Sequence, residues 1–256
     1  MYSSSGGLFG KSRTTSVDQS VPGIWTMQQQ LEAKRSLLWP PSASEDPYYG
    51  NVSLLLKGNG TNGSTTIIDS SPSPKTVTAF GNAQISTAQS KFGGASIAFD
   101  GTGDYLNINS DSAFGYGLSD FTIETWVYRN VSSALQIITD QRAGVATQLV
   151  PTLYINATTL FYYANGGNRI TGGVVPASQW VHIALSRSGT STKLFINGLQ
   201  GGSTYADSNN YIDSPVRVGG ANDGSSVASL NGYLDDLRIT KGVARYTSNF
   251  TPPGAL

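Results

Sequence analysis

The chain has 256 residues, of which 12% are charged and 38% hydrophobic, with 30 glycines, no cysteine and equal numbers of basic and acidic residues, 16 of each. That balance leaves no surplus positive charge to release counterions from nucleic acid or to hold an anionic bilayer, and the lack of cysteine excludes disulfides and thiolate metal sites. No stretch approaches the roughly 20 apolar residues of a membrane helix, so neither nucleic acid nor membrane insertion is expected.

The amino-terminal residues MYSSSGGLFGKSRTTSVDQS lack the apolar run of a signal-peptide core and predict an arm ordered only by a partner. VPGIWTMQQQLEAKRSLLWPP (21–41) predicts one helix. Thr26 offers an N-cap with Gln29 completing a capping box, Met27, Leu31, Lys34 and Leu38 share a face, and Trp39-Pro40-Pro41 ends the turn. Trp25, Met27, Leu31, Leu38 and Trp39 are the residues expected to anchor on a partner. SASEDPYYGN (42–51) reads as a linker, giving an anchoring segment over 1–47 and a domain over 48–256.

From Val52 the apolar period is two. VSLLLKGNG, TTIID, TVTAFG, AQIST, FTIETWVYR, ALQIITDQR, TLYINATTLFYYAN, WVHIALSRSG, KLFINGLQ, SPVRVGG and LNGYLDDLRITKG read as short strands between Gly, Asn, Ser and Pro clusters. Asn197-Gly198 is the strongest hairpin signal, because a type I′ turn needs positive φ at both centres. The expected fold is all-β, a two-sheet antiparallel jelly-roll sandwich. Six Asn-X-Ser/Thr triplets (Asn51, Asn59, Asn62, Asn130, Asn156, Asn249) follow from a composition rich in those residues.

The ordered phrases KFGGASIAFDGTGDYLNI, SDFTIETWVYR, QWVHIALSRSGTSTKLFINGLQ and NGYLDDLRITKGVARY resemble the concanavalin A-like jelly roll of the laminin-G type, over about residues 50–253. NVSLLLKGNGTNGSTTIIDSS and the leader GIWT…LLWPP further resemble structural and tail-fibre-like proteins of tailed bacteriophages, marine ones in particular. The resemblance implies a lectin-like fold that often binds calcium through Asp side chains and loop carbonyls. Asp100, Asp104 and Asp236 occupy the resembling segments, each with a competing reading as a turn or capping acid.

Catalysis finds little support in the residues. Beyond the linker Glu124 is the single glutamate, and Asp120, the nearest acid on its face, lies about 13 Å along the strand, too far for a glycosidase pair. Asp235 and Asp236 point to opposite faces unless a bulge intervenes. His182, the one histidine, has no nucleophile elbow near it and reads as a hydrogen-bonded structural residue. Trp126 and Trp180 read as core aromatics. Sugar binding would use aromatic platforms with amides and carboxylates, for which Tyr162, Tyr163, Tyr205, Tyr211, Asn222 and Asp223 are the candidates.

The sequence thus leads to a non-enzymatic virion protein, a capsid decoration or tail-fibre subunit. It would be oligomeric within an assembly, held by other virion proteins and able to adhere to cell-surface glycans, with no cofactor required and calcium as an optional ligand. It would be assembled in the host cytoplasm without a signal peptide. A free carbohydrate-binding lectin is the alternative, and a glycan hydrolase a third reading.

Overall fold

Strands of alternating polarity bury one side each, so two sheets of them must close on each other. The computed structural model describes residues 9–11, 22–24, 46–132, 135–144, 148–223 and 228–256. The chain divides into two compact units, Met1–Asp46 and Pro47–Leu256. In the first, β1 (Phe9–Lys11) pairs antiparallel with β2 (Pro22–Ile24). The predicted helix, with Trp25, Met27, Leu31, Leu38 and Trp39, lies outside the described residues.

The second unit is an antiparallel sandwich. Its strands are β3 (Val52–Leu56), β4 (Val77–Phe80), β5 (Gln84–Ser86), β6 (Ser96–Asp100), β7 (Tyr105–Asp111), β8 (Phe121–Arg129), β9 (Gln136–Asp140) and β10 (Thr152–Asn156). They continue as β11 (Thr159–Ala164), β12 (Gly167–Val174), β13 (Trp180–Ser188), β14 (Ser191–Ile196), β15 (Leu199–Ala206), β16 (Ser214–Val218) and β17 (Asn231–Lys241). One sheet has seven strands in the order β12-β11-β10-β9-β16-β7-β4. The other has eight, β15-β14-β13-β8-β17-β6-β5, with β3 also paired to β17. Among the described residues the helices are two 3-10 turns, Tyr49–Asn51 and Ser112–Phe114, and no helix is long and apolar enough to cross a membrane.

The core lies between the sheets. Ile123, Val127, Ile183 and Leu234 from one sheet meet Ile138, Leu153, Leu160 and Val218 from the other, all buried. Each such side chain contributes about 1.5–3 kcal/mol by leaving water. On β8 the inward set Phe121, Ile123 and Val127 alternates with Glu124 and Trp126 on the outer face, as its sequence pattern predicts. TTIID does not form the predicted strand. The Asp69 carboxylate there takes the backbone amides of Leu55, Ser71 and Lys75, so a side chain replaces the ladder and only the bridge Leu56↔Asp69 remains.

The Asn197-Gly198 turn forms as expected, with φ of 48° and 78°. It also seats a remote segment, because Phe250 N donates to Gly198 O at 2.9 Å. A Cβ at Gly198 would stand 1.8 Å from Phe250 O, whereas one at Gly254 would meet nothing within 4 Å. Gly198→Ala is therefore expected to lower stability by more than about 1 kcal/mol, while Gly254→Ala stays near neutral. Thermal unfolding of both variants beside the parent checks this.

Candidate functional site

The outer face of the eight-stranded sheet is built around a buried carboxylate. Glu124 accepts from Arg238 Nε and Nη2 at 2.9 and 2.7 Å, from Tyr246 Oη at 2.7 Å, and faces His182 Nε2 at 3.2 Å. Burial alone would push this carboxyl up, but the His182 hydrogen bond, the Arg238 charge and the Tyr246 hydroxyl together lower it to about 2. Residues 242–256 then cross the same face as an irregular strap. Arg245 N donates to Thr122 Oγ1 at 2.9 Å, Lys193 Nζ to Thr247 O at 2.6 Å, and Leu256 N to Asp236 Oδ2 at 2.8 Å. Tyr246 and Phe250 stack at 3.5 Å and turn edge-on to His182. This face is covered, and His182 has the structural place its sequence setting predicts. Trp126 is buried there, whereas Trp180 is only half-buried.

The register puts one residue of each strand of the seven-stranded sheet in a single outward row, Thr78–Asn107–Arg217–Asp140–Thr152–Tyr163–Asn168. Six strand spacings make it about 29 Å long. Its middle is closed over Asp140, which is fully buried. Arg142 binds Asp140 through Nε and Nη2 at 2.9 and 2.7 Å and reaches Asp223 with Nη1 at 3.0 Å. Thr152 Oγ1 and Asn222 N donate to the same carboxylate at 3.0 and 2.7 Å. The Arg142 guanidinium also lies 5.3 Å from the centre of the Tyr163 ring, so Tyr163 and Asp223 converge on one arginine and Asn222 on the carboxylate that it binds.

Toward β12 the row is open. Tyr163 is half-buried, Asn168 is exposed, and Tyr154 Oη donates to Asn168 Oδ1 at 2.8 Å. Tyr154 stacks on Phe161 at 5.1 Å with an interplanar angle of 15°. Phenol, amide, carboxylate and flat rings on one open surface are the groups that read sugar hydroxyls and cover the apolar face of a pyranose.

Two other predicted platforms are corrected. Tyr162 and Tyr211 lie in the core with their hydroxyls bonded to each other, and Tyr211 donates to buried Asp207 at 2.7 Å. Their rings are not accessible to a sugar. The reason is local: β11 alternates, so Leu160, Tyr162 and Ala164 face inward and Phe161 and Tyr163 outward. Tyr205 packs against the same core with its ring edge toward Tyr162.

Asp100 and Asp104 share one turn. Asp104 accepts from the amides of Asn82 and Asp100, and Asp100 accepts from Thr102 N. Asp236 lies apart, in a bulge of β17 between Asp235 and Arg238, with φ of 48°. No group of three or more His, Cys, Asp or Glu that could hold a metal ion occurs among the described residues. The bulge buries both neighbouring acids. Asp235 accepts from Lys91 N and Phe92 N, Asp236 from Leu256 N, and burial raises each carboxyl to about 6.

Residues 100–245, more than half of the chain, match the model of the concanavalin A-like lectin/glucanases superfamily. The chain belongs to this family. No curated protein matches its sequence. Similar solved structures of this lectin-like fold include botulinum neurotoxin type C, whose entering of cells depends on interaction with two ganglioside molecules; identity is 13%, the TM-score 0.56, and coverage 77% of this chain and 49% of that one. The binding domain of botulinum neurotoxin DC, solved with rat synaptotagmin II, matches at 13% identity and TM-score 0.54, with coverage of 77% and 49%. The serotype C1 binding domain gives 14% and 0.56, with coverage of 77% and 50%. The chain thus spans about half the length of these structures.

The buried acids give this lectin-like domain an uncommon pH profile. Glu124, lowered in the fold from 4.5 to about 2, contributes stability above pH 4.5 that is lost as the pH falls toward 2. Asp235 and Asp236, raised from 3.8 to about 6, cost stability while ionised, and that cost disappears as the pH falls from above 6 toward 4. The melting temperature is expected to rise from neutral pH to a maximum near about pH 4 and to fall as the pH drops further toward 2. Asp236→Asn should flatten the rise between pH 7 and 5. Calorimetry across this range provides the check.

Proposed function

We propose that the protein is a non-enzymatic glycan-binding module that uses the open end of the seven-stranded sheet around Tyr163, Asn168, Asn222 and Asp223. The observation that carries this reading is the contrast between the faces: a strap covers the eight-stranded sheet, while the row beyond Asp140 leaves aromatic and amide groups open. The lectin-like family supports it, and the ganglioside interaction of neurotoxin type C supports a cell-surface glycan as the ligand class. Hydrolysis requires a proton-donating acid and a second carboxylate. On this face Asp140 and Asp223 are instead both bound to Arg142.

A glycan array with and without calcium tests the proposal. The expected result is binding to a defined set of neutral glycans, reduced at least about tenfold in Tyr163→Ala, the loss of a stacking platform and its hydrogen bond, with an unchanged melting temperature. A protein that binds no glycan in either condition would refute it.

In this reading the segment 1–47 anchors the module to other virion proteins of a bacteriophage, capsid or tail, as the sequence resemblance suggests. Deleting residues 1–46, which form the first compact unit, should leave a folded sandwich that no longer co-purifies with assembled particles. Continued incorporation of the truncated protein would contradict the anchor.

A further inference from the structure

The other end of the same row holds a cation in a different state. Arg142, Arg187, Arg238 and Arg245 each lie within 4.0 Å of a carboxylate. Arg217, on β16 between Asn107 and Asp140, has no carboxylate in ion-pair range among the described residues, and its row neighbour Asp140 is already bound by Arg142. Its position is nevertheless well defined. The guanidinium lies 4.0 Å over the Tyr105 ring, and Nη1 donates to Ala221 O at 2.5 Å. Among the described residues Nε is buried without a hydrogen-bond partner, and the one hydrogen bond of the guanidinium is that of Nη1.

Beside it stands an aromatic surface. Phe80 stacks on Tyr105 with centroids 4.6 Å apart and an interplanar angle of 14°, and Phe80 is 41% exposed. Asn107 and Asn109 add two amides, joined at 3.3 Å. An arginine held by a ring, half-buried and with no counter-ion among the described residues, favours a planar carboxylate that it can bind through charge-assisted hydrogen bonds. The exposed ring and amides favour a pyranose attached to that carboxylate.

Resting on the glycan-binding reading above, we propose that Phe80, Tyr105, Asn107 and Arg217 form a second subsite, specific for an acidic sugar. Arg217 binds the carboxylate, Phe80 covers the apolar face of the ring, and Asn107 reads a hydroxyl. The subsite lies four strand spacings, about 19 Å, from Tyr163, so the two ends of the row hold separate sugars. They differ in charge selectivity because the guanidinium near Tyr163 is already bound to Asp140 and Asp223.

The test is titration calorimetry with an oligogalacturonate and with its methyl ester, which removes the charge and keeps the ring. Wild type should bind the acid at least about tenfold more tightly than the ester, the scale of a hydrogen bond to a charged group. Arg217→Met should abolish that preference and Phe80→Ala should weaken both ligands, while the neutral glycans that depend on Tyr163 bind as before. Because both substituted side chains are at the surface of the sheet, unchanged melting temperatures exclude misfolding. Equal binding of acid and ester, a preference that survives Arg217→Met, or one abolished by Tyr163→Ala, would overturn the subsite while leaving the proposed function standing. Absence of binding by any glycan, neutral or acidic, would overturn both.

Discussion

A carboxylate buried on the outer face of each sheet has to be neutralised in place, and the way this is done decides which face of the sandwich is open. An unpaired buried carboxylate is costly enough that a fold retains one only with a complete set of donors. Glu124 draws its donors from β13, β17 and the strap, so Tyr246 and the rings behind it are held across the eight-stranded sheet. Asp140 obtains a bidentate cation from Arg142, two residues on, with further donors from Thr152 and Asn222. That compact arrangement closes only the middle of the seven-stranded face.

The bulge of β17 serves the closed face. One inserted residue lets the strand pair with β6 before it and β3 after it, while β8 follows the other edge throughout. It also turns two consecutive acids into buried acceptors, one holding the loop at Lys91 and Phe92, the other holding Leu256. Burial of the two acids, which these hydrogen bonds offset only in part, imposes the penalty on ionisation that makes the fold more tolerant of mild acid than of neutral pH. The strap and the bulge thereby belong to one face, opposite the one for which glycan binding is proposed.

Much of the sandwich was legible in the sequence because its signals are local. The period of two identified most strands, the Asn197-Gly198 pair identified a hairpin, and the alternation of FTIETWVY assigned Glu124 and Trp126 to one face. The strand predicted at TTIID does not form, because of where a single carboxylate, Asp69, sends its oxygens. The site was less legible. Tyr162 and Tyr163 are adjacent on a strand and cannot share a face, so the alternation of TLFYYA already contained the reason that one of them is core. Asp140 and Arg142 stand out in DQR only against a chain poor in charge. The row from Thr78 to Asn168 has no sequence signal, because it exists only through long-range register among seven strands, and the same holds for the place of Arg217 over Tyr105.

The division between a closed and an open face is tested by a crystal structure of the protein with a bound oligosaccharide. Sugar should lie over Tyr163 and Asn168, with the strap from Gly242 to Leu256 undisturbed. Sugar over the eight-stranded sheet, with Tyr246 and Phe250 displaced from Glu124 and His182, would contradict it.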